Sequence, residues 1–507
     1  MKVKEVVAAV STALFCAQPA TAQDVALIAR EGGIVLTGSL QGYDGEFYRI
    51  ETSYGLLTVD GQGVICKGPA CPDLLAPRAE ITIVGAQDAE RMLIPGLFQA
   101  FAEQRGLIFE VMGGEGFAAV ILEPDSREEL ASISFRAMTP ATASAALESG
   151  VADLKLGFRR EAGFATHSVA LDALVVIVAP DNPTPEISTA DLSRVLTGEV
   201  TNWAEIGGPD MPLVLHALRP GTDLQQALAD RLGAPVAAQV LHGEQQSLAE
   251  GVARDPWAIA VTGRSGVQPA RGLTLTDSCG FPLLPTPLAV KAEDYPLAIP
   301  LMFMAAKRRL PLMTREFLDF LRTPQAQKVI AAAGYVDRSA LRQPMTSDGL
   351  RLINAIQGAG EDVTLADLKG LVALMDGADR LSLTFRFEDG SSTLDAHSRD
   401  NLVDLAQLIA SGQFRGEKLL LAGFSDGSGD AEANRALSVE RANRVAQELA
   451  IIAPDLSPEV LPKVEGFGEA LPMACDETPA GRQLNRRVEL WVLPDFPERP
   501  EAVDPQP

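Results

Sequence analysis

The feature that most constrains the fold lies between residues 80 and 336, where short apolar runs alternate with helical patterns. The apolar runs are EITIVGAQ, LIFEVMG, ALVVIVAP and MPLVLHAL. The helical patterns include DAERMLIPGLFQAFAEQRG and TREFLDFLRTPQAQKVIAAAGYV, in which apolar residues recur three and four positions apart. Strand followed by helix is typical of βαβ units. We therefore expect an α/β domain over residues 79–337, built around a largely parallel sheet.

The first 22 residues have the pattern of an export signal. Lys2 and Lys4 precede an apolar run over residues 6–16, and Ala20-Thr21-Ala22 has the small-residue pattern of a cleavage site. A lipoprotein anchor at Cys16 is the alternative, but the bulky Phe15 before it does not fit the small residue that such processing favours. We expect cleavage after Ala22 and a periplasmic protein.

Composition limits the partners of the exported chain. The formal charge is −24 and the sequence pI is about 4.6, which opposes binding to nucleic acid through a general electrostatic field. Of 507 residues, 485 remain after cleavage, and this length predicts about three domains. We expect no nucleic-acid partner, and any anion site must be a local exception to the charge.

Cysteine usage fits an oxidising compartment. Cys66 and Cys71 lie in CKGPAC, separated by a Gly-Pro turn, which predicts a small disulfide loop; two reduced thiols are the alternative. The state of Cys279 and Cys475 stays open. The sequence has no C-x-x-C or H-E-x-x-H spacing, so we expect neither a metal nor another cofactor.

Both flanks of the α/β region have patterns of their own. Residues 23–78 combine β-formers with G-Y-D-G, S-Y-G and D-G-Q-G turns, which predicts a small antiparallel β module. Residues 338–380 read as a helical connector, with Thr364 and Asp367 forming a T-x-x-D cap. Residues 381–493 predict a βαβαβ domain, and the Pro-rich tail 494–507 is expected to be disordered. The fold class is therefore α/β and α+β, with several domains.

The segment GFSDG contains a match to the serine-hydrolase elbow G-x-S-x-G at Ser425. In the α/β-hydrolase order, the catalytic histidine follows the serine in the sequence. The chain has four histidines, and His397, the last of them, precedes Ser425. We therefore interpret Ser425 as a turn residue and predict no catalytic site.

Two charged residues beside this turn are better candidates for a site. Asp426 follows the strand KLLLAGF, and Arg441 lies on the flank of the buried face of a predicted helix. A helix unbroken from Ala431 would carry Arg441 roughly 15 Å along its axis. We therefore expect the helix to restart near Leu437, with Ser438 as the N-cap. The plainer alternative is that Asp426 caps a turn and Arg441 is a solvated flank residue.

Four segments, GFSDGSG, NRALSVERANRV, VEGFGEALP and NRRVEL, appear in the order found in OmpA-like peptidoglycan-binding domains. The C-terminal region resembles that family over residues 381–492. The resemblance implies that Asp426 and Arg441 grip the diaminopimelate of peptidoglycan stem peptides, and that Asn434 and Arg486 belong to the same site. Carboxylate and guanidinium suit the ammonium and carboxylate of that ligand. Phe424 departs from the histidine or tyrosine common in the family, so one polar contact is in doubt.

The α/β region resembles phosphate-type (PstS-like, type II) periplasmic substrate-binding proteins, most distinctively in GEVTNWAEIGG. The resemblance implies two hinged lobes enclosing a ligand at helix N-termini, where unpaired N–H groups favour anions. The implied ligand-binding residues are Arg219, Gly221, Thr222, Ser134, Arg136, Ala86 and Gln87. The family's R-x-x-S-G-T loop is shortened here, and Asp88 adds a negative charge. Phosphate or a similar small oxyanion is favoured over a different ligand or none.

Together these patterns predict a non-enzymatic periplasmic protein, tethered to peptidoglycan at the outer membrane, that binds a small anion in its central cleft. An ABC permease or another envelope protein is a possible partner. The first alternative is an envelope interaction scaffold without a small ligand. The second, less favoured, is a hydrolase directed to peptidoglycan.

Overall fold

The fold is described from a computed structural model that covers residues 25–29, 33–43, 46–68, 71, 79–86, 89, 91, 93–113, 116–306, 310–357, 362–388 and 393–494. The predicted export signal, Gln87, Asp88 and the tail beyond residue 494 lie outside these ranges. Within the described ranges, no helix combines the length and the apolar character that crossing a membrane requires.

The N-terminal module is a five-stranded antiparallel sheet in the order β4-β3-β2-β1-β5. Its strands are β1 (Val25–Ala29), β2 (Val35–Tyr43), β3 (Phe47–Thr52), β4 (Gly55–Asp60) and β5 (Val64–Lys67). Val25, Leu27, Tyr48 and Ile50 form its buried core. The predicted Cys66–Cys71 disulfide is present, with Cα atoms 5.8 Å apart. The expected antiparallel module is therefore found, and β1 lies within its predicted bounds.

The central region contains the two long strands that organise it, β11 and β19. The strands are β6 (Ala79–Gly85), β7 (Ile108–Met112), β8 (Phe117–Leu122), β9 (Glu129–Ala137), β10 (Leu154–Gly157), β11 (Ala165–Val178), β12 (Glu186–Ser188), β13 (Val214–Leu218), β14 (Val240–His242), β15 (Ala258–Gly263), β16 (Arg271–Gly272), β17 (Thr274–Thr276), β18 (Pro282–Leu283) and β19 (Ala298–Ala305). The helices are α1 (Ile94–Gln104), α2 (Pro140–Glu148), α3 (Thr189–Leu196), α4 (Asp223–Leu232), α5 (Gln245–Arg254), α6 (Pro287–Lys291), α7 (Leu312–Phe320) and α8 (Pro324–Ala332).

The main sheet has the order β14-β13-β15-β11-β19-β10-β6-β9-β8-β7. The expectation of a largely parallel sheet is wrong. β6 is parallel to β9 and β10, and β13 is parallel to β14 and β15, but β11 and β19 are antiparallel to their main-sheet neighbours. The physical reason is that β11 and β19 run in opposite directions between the two halves of the sheet, and that β7, β8 and β9 form an antiparallel meander at one edge.

These two strands divide the region into two lobes. Residues 165–168 of β11 pair with residues 302–305 of β19 in the half that holds β10, whereas residues 174–178 pair with β15. The first lobe holds β6–β10 with α1, α2, α7 and α8, and the second holds β12–β18 with α3–α6. Residues 170–173 of β11 lie between them, where the resemblance to two-lobed binding proteins predicts a hinge.

The C-terminal region is a five-stranded sheet, order β20-β21-β24-β22-β23, covered by helices. Its elements are β20 (Arg342–Pro344), α9 (Gly349–Gln357), α10 (Leu365–Met375), β21 (Asp379–Phe385), α11 (Ala396–Ala410), β22 (Lys418–Phe424), α12 (Ala431–Ile452), β23 (Lys463–Gly466), α13 (Pro479–Asn485) and β24 (Arg487–Leu493). The predicted strand and helix order is present, and Thr364 and Asp367 form the expected capping box. The sequence interpretation missed β20, β23 and α13.

The predicted helix restart at Ser438 is wrong. Helix α12 runs unbroken from an N-cap at Asp430, whose side chain accepts a hydrogen bond from the Ala433 amide. Ser438 is fully buried in mid-helix and accepts a hydrogen bond from the Gly468 amide. A Cβ atom on Gly423 would lie 2.0 Å from the Ser438 carbonyl oxygen. The helix therefore passes back over the end of β22, and no restart is needed for Arg441 to reach it.

Candidate functional site

The first candidate site is a cluster of charged residues around Asp426, which lies two residues after the end of β22. Its Oδ2 lies 3.0 Å from Arg486 Nη1, and its Oδ1 accepts a hydrogen bond from the Ser428 amide at 3.0 Å. Burial alone would raise the pKa of Asp426, but the hydrogen bonds from Arg486 and Ser428 outweigh it and hold that pKa below its usual range. Asp426 is therefore a carboxylate at neutral pH.

Arg441 reaches the same strand end from α12. Its Nη1 donates to the Phe424 carbonyl oxygen at 3.5 Å, and its other N–H groups donate to no residue that the structure describes. Burial lowers the pKa of Arg441, Arg486 lowers it further, and Asp426 acts in the opposite direction. Asp426 thus pairs with Arg486 rather than with Arg441, and the guanidinium of Arg441 keeps donors available for a ligand.

Two neutral side-chain atoms near these charges are buried and have no hydrogen-bond partner among the described residues. Asn434 is 6% exposed, and its Nδ2 donates to no described atom; the same holds for the Oγ of Ser425, which is 3% exposed. Asn434, Ser438 and Arg441 follow each other at helical spacing on one face of α12. No described histidine contacts the Ser425 hydroxyl, so the geometry gives no support to a catalytic serine.

Two further carboxylates, Asp476 and Glu469, lie on the other side of this site. The sequence interpretation did not identify either of them. The Gly427 amide donates to Asp476 Oδ2 at 2.9 Å, and a Cβ on Gly427 would lie 2.8 Å from that oxygen and 2.9 Å from Glu469 Oε2. Burial raises the pKa of Glu469, and the nearby Asp362, Asp476 and Asp426 raise it further. In the sequence, Glu469 was visible only as the second glutamate of the motif VEGFGEALP. The cluster thus combines acidic groups with two arginines.

The second candidate site is a cavity of about 250 Å³ between the two lobes. Its described wall includes Ala86, Met138, Thr139, Phe158, Gly221, Thr222, Asp223 and Tyr335. Most of these contribute apolar atoms or backbone. Gly221 and Thr222 immediately precede α4, and the Thr222 side chain makes no capping hydrogen bond to that helix. The wall therefore combines an apolar surface with one helix N-terminus.

The predicted ligand contacts divide into two groups. Ala86, Gly221 and Thr222 lie in the described wall, and Gln87 lies outside the described residues. Arg219 is exposed, and its carbonyl oxygen accepts hydrogen bonds from Thr222 within the turn. Ser134 lies within β9 and Arg136 is exposed towards its end; neither is part of the described wall, nor is Arg219. The described wall therefore contains no guanidinium.

The wall does contain a carboxylate that sequence reasoning missed. Asp223 is the first residue of α4, is 8% exposed, and accepts a hydrogen bond from the Phe158 amide at 2.9 Å. Burial raises the pKa of the Asp223 carboxyl, although the Phe158 amide and the charge of Lys155 act in the opposite direction. Aspartate is common in the first turn of a helix, so no sequence pattern indicated that this one faces a cleft.

Comparison with known proteins assigns both regions. Residues 137–366 match the family model described as a PBP superfamily domain, and residues 386–486 match the OmpA family. The chain joins a PBP superfamily domain to an OmpA family domain. Both are families of binding proteins rather than enzymes, and the OmpA family domain indicates an association with the cell envelope.

Individual relatives match one region each. The chain is 34% identical over 113 residues to outer membrane porin F of Pseudomonas fluorescens, covering 22% of this chain and 33% of that protein. It is 24% identical over 187 residues to the phosphate-binding protein PstS of Bacillus subtilis, covering 36% of this chain and 61% of that protein. The chain thus spans between a third and three fifths of the length of these two relatives. Among solved structures, an ABC-type phosphate transport receptor from Vibrio cholerae is similar, with 18% identity and a TM-score of 0.41, covering 50% of this chain and 99% of that one.

Proposed function

We propose that this protein is a periplasmic solute-binding protein tethered to peptidoglycan, holding the diaminopimelate of stem peptides in the pocket of Asp426 and Arg441. The observation that carries the proposal is the placement, at one strand end, of the Asp426 carboxylate, 3.0 Å from Arg486, and of the Arg441 guanidinium, whose remaining N–H groups have no described partner. An ABC permease or another envelope protein is a candidate partner of the cleft domain.

The charges of the pocket fit a zwitterion. The free carboxylate of diaminopimelate can accept hydrogen bonds from Arg441, whose remaining N–H groups have no described partner. Its ammonium can donate to Asp426, with Glu469 and Asp476 adding negative charge on the same side. Asp426 already forms an ion pair with Arg486 in the free protein. The ligand ammonium would therefore either replace Arg486 as the partner of Asp426 or bind beside it. The buried amide of Asn434 supplies a further donor.

Sedimentation of the full chain with purified sacculi tests this assignment. Truncating one member of a desolvated charge pair costs about 2–5 kcal/mol, which weakens binding by about 30-fold or more. We expect that loss for Asp426→Ala and for Arg441→Ala. The matched control is Arg444→Ala, on the same helix, where the arginine pairs with the neighbouring Glu448 on the exposed side. Undiminished sedimentation of both pocket variants would remove the site.

For the cleft, we propose a small oxyanion that still carries a proton. Gly221 and Thr222 place the N-terminus of α4 at the wall, which favours an anion. Asp223 in the same wall accepts hydrogen bonds when ionised and repels a fully ionised ligand. Protonated phosphate satisfies both groups because it is an anion with a donor, whereas sulfate has no proton to give at neutral pH.

Calorimetry on the full chain separates these ligands. We expect heat with phosphate, none with sulfate, and weaker phosphate binding at about pH 8.5 than at about pH 6. Asp223→Asn should reduce the difference between phosphate and sulfate, and Arg219→Ala tests whether that exposed guanidinium reaches the ligand. No heat with phosphate, sulfate or phosphonates at millimolar concentration would end the oxyanion proposal. The cleft domain would then be better explained as an interaction scaffold.

A further inference from the structure

The OmpA family domain contacts the second lobe through a buried ion network. Asp294, which follows α6, lies 2.7 Å from Arg380 Nη2 and 2.9 Å from Arg386 Nη2, both on or directly after β21. The side chains of Asp294 and Arg380 are 4% and 2% exposed. Arg386 also donates to the carbonyl oxygens of residues 292 and 293. Because these three side chains are almost completely removed from water, each charge depends on its ion-pair partners for stabilisation.

A covalent bond strengthens the same attachment. Cys279 of the second lobe forms a disulfide with Cys475 of the OmpA family domain, across a sequence separation of 196 residues. The Cys475 amide also donates to Asp277 Oδ2 at 2.7 Å. The loop that follows β17 is thus fastened to the segment before α13.

The same domain also contacts the first lobe, through α11. Asp404 Oδ2 lies 3.0 Å from Arg338 Nη2, and Asp400 Oδ2 accepts a hydrogen bond from Ser168 Oγ at 3.2 Å. Arg338 Nη1 donates in turn to the Ser168 carbonyl oxygen at 3.5 Å. Ser168 belongs to the part of β11 that pairs within the first lobe. Contacts to one domain therefore lie on both sides of the expected hinge at residues 170–173.

We propose that the OmpA family domain braces the two lobes and sets the angle of the cleft between them. Helix α11 packs on β21, so the groups that hold each lobe belong to one packed body. Hydrogen bonds tolerate displacements of only a few tenths of an ångström, and hinge closure moves lobes by much more. The cleft can change its opening only when one set of contacts breaks, which couples the cleft to the wall-binding domain.

The cleft side of the lobes offers a contact for comparison. Arg159 Nη1 lies 3.0 Å from Asp230 Oδ2 across the lobes, but the two side chains are 42% and 45% exposed. Exposed ion pairs of this kind contribute little. By contrast, Arg338 and Asp404 are 10% and 24% exposed. The brace contacts, together with the buried hydrogen bond from the Phe158 amide to Asp223 across the lobes, are therefore expected to hold the interlobe angle, and this ion pair is not.

Distance measurements between the lobes of the full chain test the brace. Bio-orthogonal spin labels at the exposed Glu148 on α2 and Gln246 on α5 report one distance distribution by electron double resonance. We expect a single narrow distribution in the native chain. The double variant Asp400→Asn with Asp404→Asn should broaden it or add a second maximum, while Arg159→Ala should leave it narrow.

Two results would overturn the proposal. One is a broad or two-peaked distribution in the native chain. The other is a double variant indistinguishable from the native chain, whether or not Arg159→Ala broadens the distribution. If circular dichroism shows that the double variant is unfolded, Arg338→Ala removes the same ion pair from the other partner and gives the same test.

Discussion

Asp172, on β11 at the hinge, offers a prediction whose magnitude follows from the structure. Its side chain is completely buried; Oδ1 accepts hydrogen bonds from the amides of Ala173 and Arg264, and Oδ2 has no described partner. Burial raises the pKa of the Asp172 carboxyl to about 7, against 3.8 for an ordinary aspartate. The folded protein therefore holds a proton at pH values where the unfolded chain has released it.

The sign of the pH effect follows from this proton. Because the folded state binds more protons than the unfolded state between the two pKa values, stability falls as pH rises through that window. Each pKa unit corresponds to about 1.4 kcal/mol, so the loss from about pH 5 to about pH 8, where the folded carboxyl has also ionised, is about 3 kcal/mol. Asp172→Asn keeps an oxygen for both amides and cannot ionise, so it abolishes this contribution.

Urea unfolding at several pH values measures the effect. The difference in free energy of unfolding between Asp172→Asn and the native protein should grow by about 3 kcal/mol from about pH 5 to about pH 8, in favour of the variant. Any change in the free energy of unfolding caused by the asparagine amide itself does not depend on pH, so it cancels when the values at the two pH ends are compared. Asp125→Asn, which changes an exposed turn, serves as the control. A difference that stays constant across this range would refute the reasoning.

Three further variants test the OmpA family domain. Glu489→Gln leaves three buried arginines without their shared carboxylate and should destabilise the protein by about 3–5 kcal/mol in urea unfolding; a loss below 1 kcal/mol would contradict the network. Gly427→Ala places a methyl group against Asp476 and Glu469, so sedimentation with sacculi should weaken while the unfolding curve stays close to native. Asn434→Ala removes an amide without a described partner, and we expect it to weaken the same sedimentation without loss of stability; a destabilised variant with native binding would assign Asn434 to the core.

Local order was predictable because it depends on local patterns. The alternation of apolar runs and helical periods gave β6, β11, β13, α7 and α8, and the motif order placed Asp426 near Arg441. The wrong prediction at Ser438 arose because a rise of roughly 15 Å along the helix axis was taken to keep Arg441 away from Asp426. Helix α12 instead packs back against β22, the strand that precedes it, so the middle of the helix lies close to the end of that strand.

Long-range contacts were beyond such patterns. The Cys279–Cys475 disulfide joins residues 196 positions apart, and Asp294 meets Arg380 across two domains. Neither residue type nor spacing identifies the partner, because the pairing depends on how separate domains pack. Within one loop, too, the sequence pattern does not tell which side chains line the cleft. Gly221 and Thr222 lie in the cleft wall, whereas the side chain of the neighbouring Arg219 is exposed.

The most direct test of the proposed function is the affinity of the full chain for two soluble stem tripeptides, measured by calorimetry. One tripeptide ends in diaminopimelate, and the other ends in lysine, which keeps the ammonium but lacks the additional carboxylate that Arg441 would hold. We predict binding of the diaminopimelate peptide and a loss of about tenfold or more with the lysine peptide, since a hydrogen bond to a charged group contributes about 1.5–3 kcal/mol. In the Arg441→Ala variant the two peptides should bind equally weakly. Equal affinity of the native chain for both peptides would contradict the assignment of Arg441 and Asp426 to the ligand.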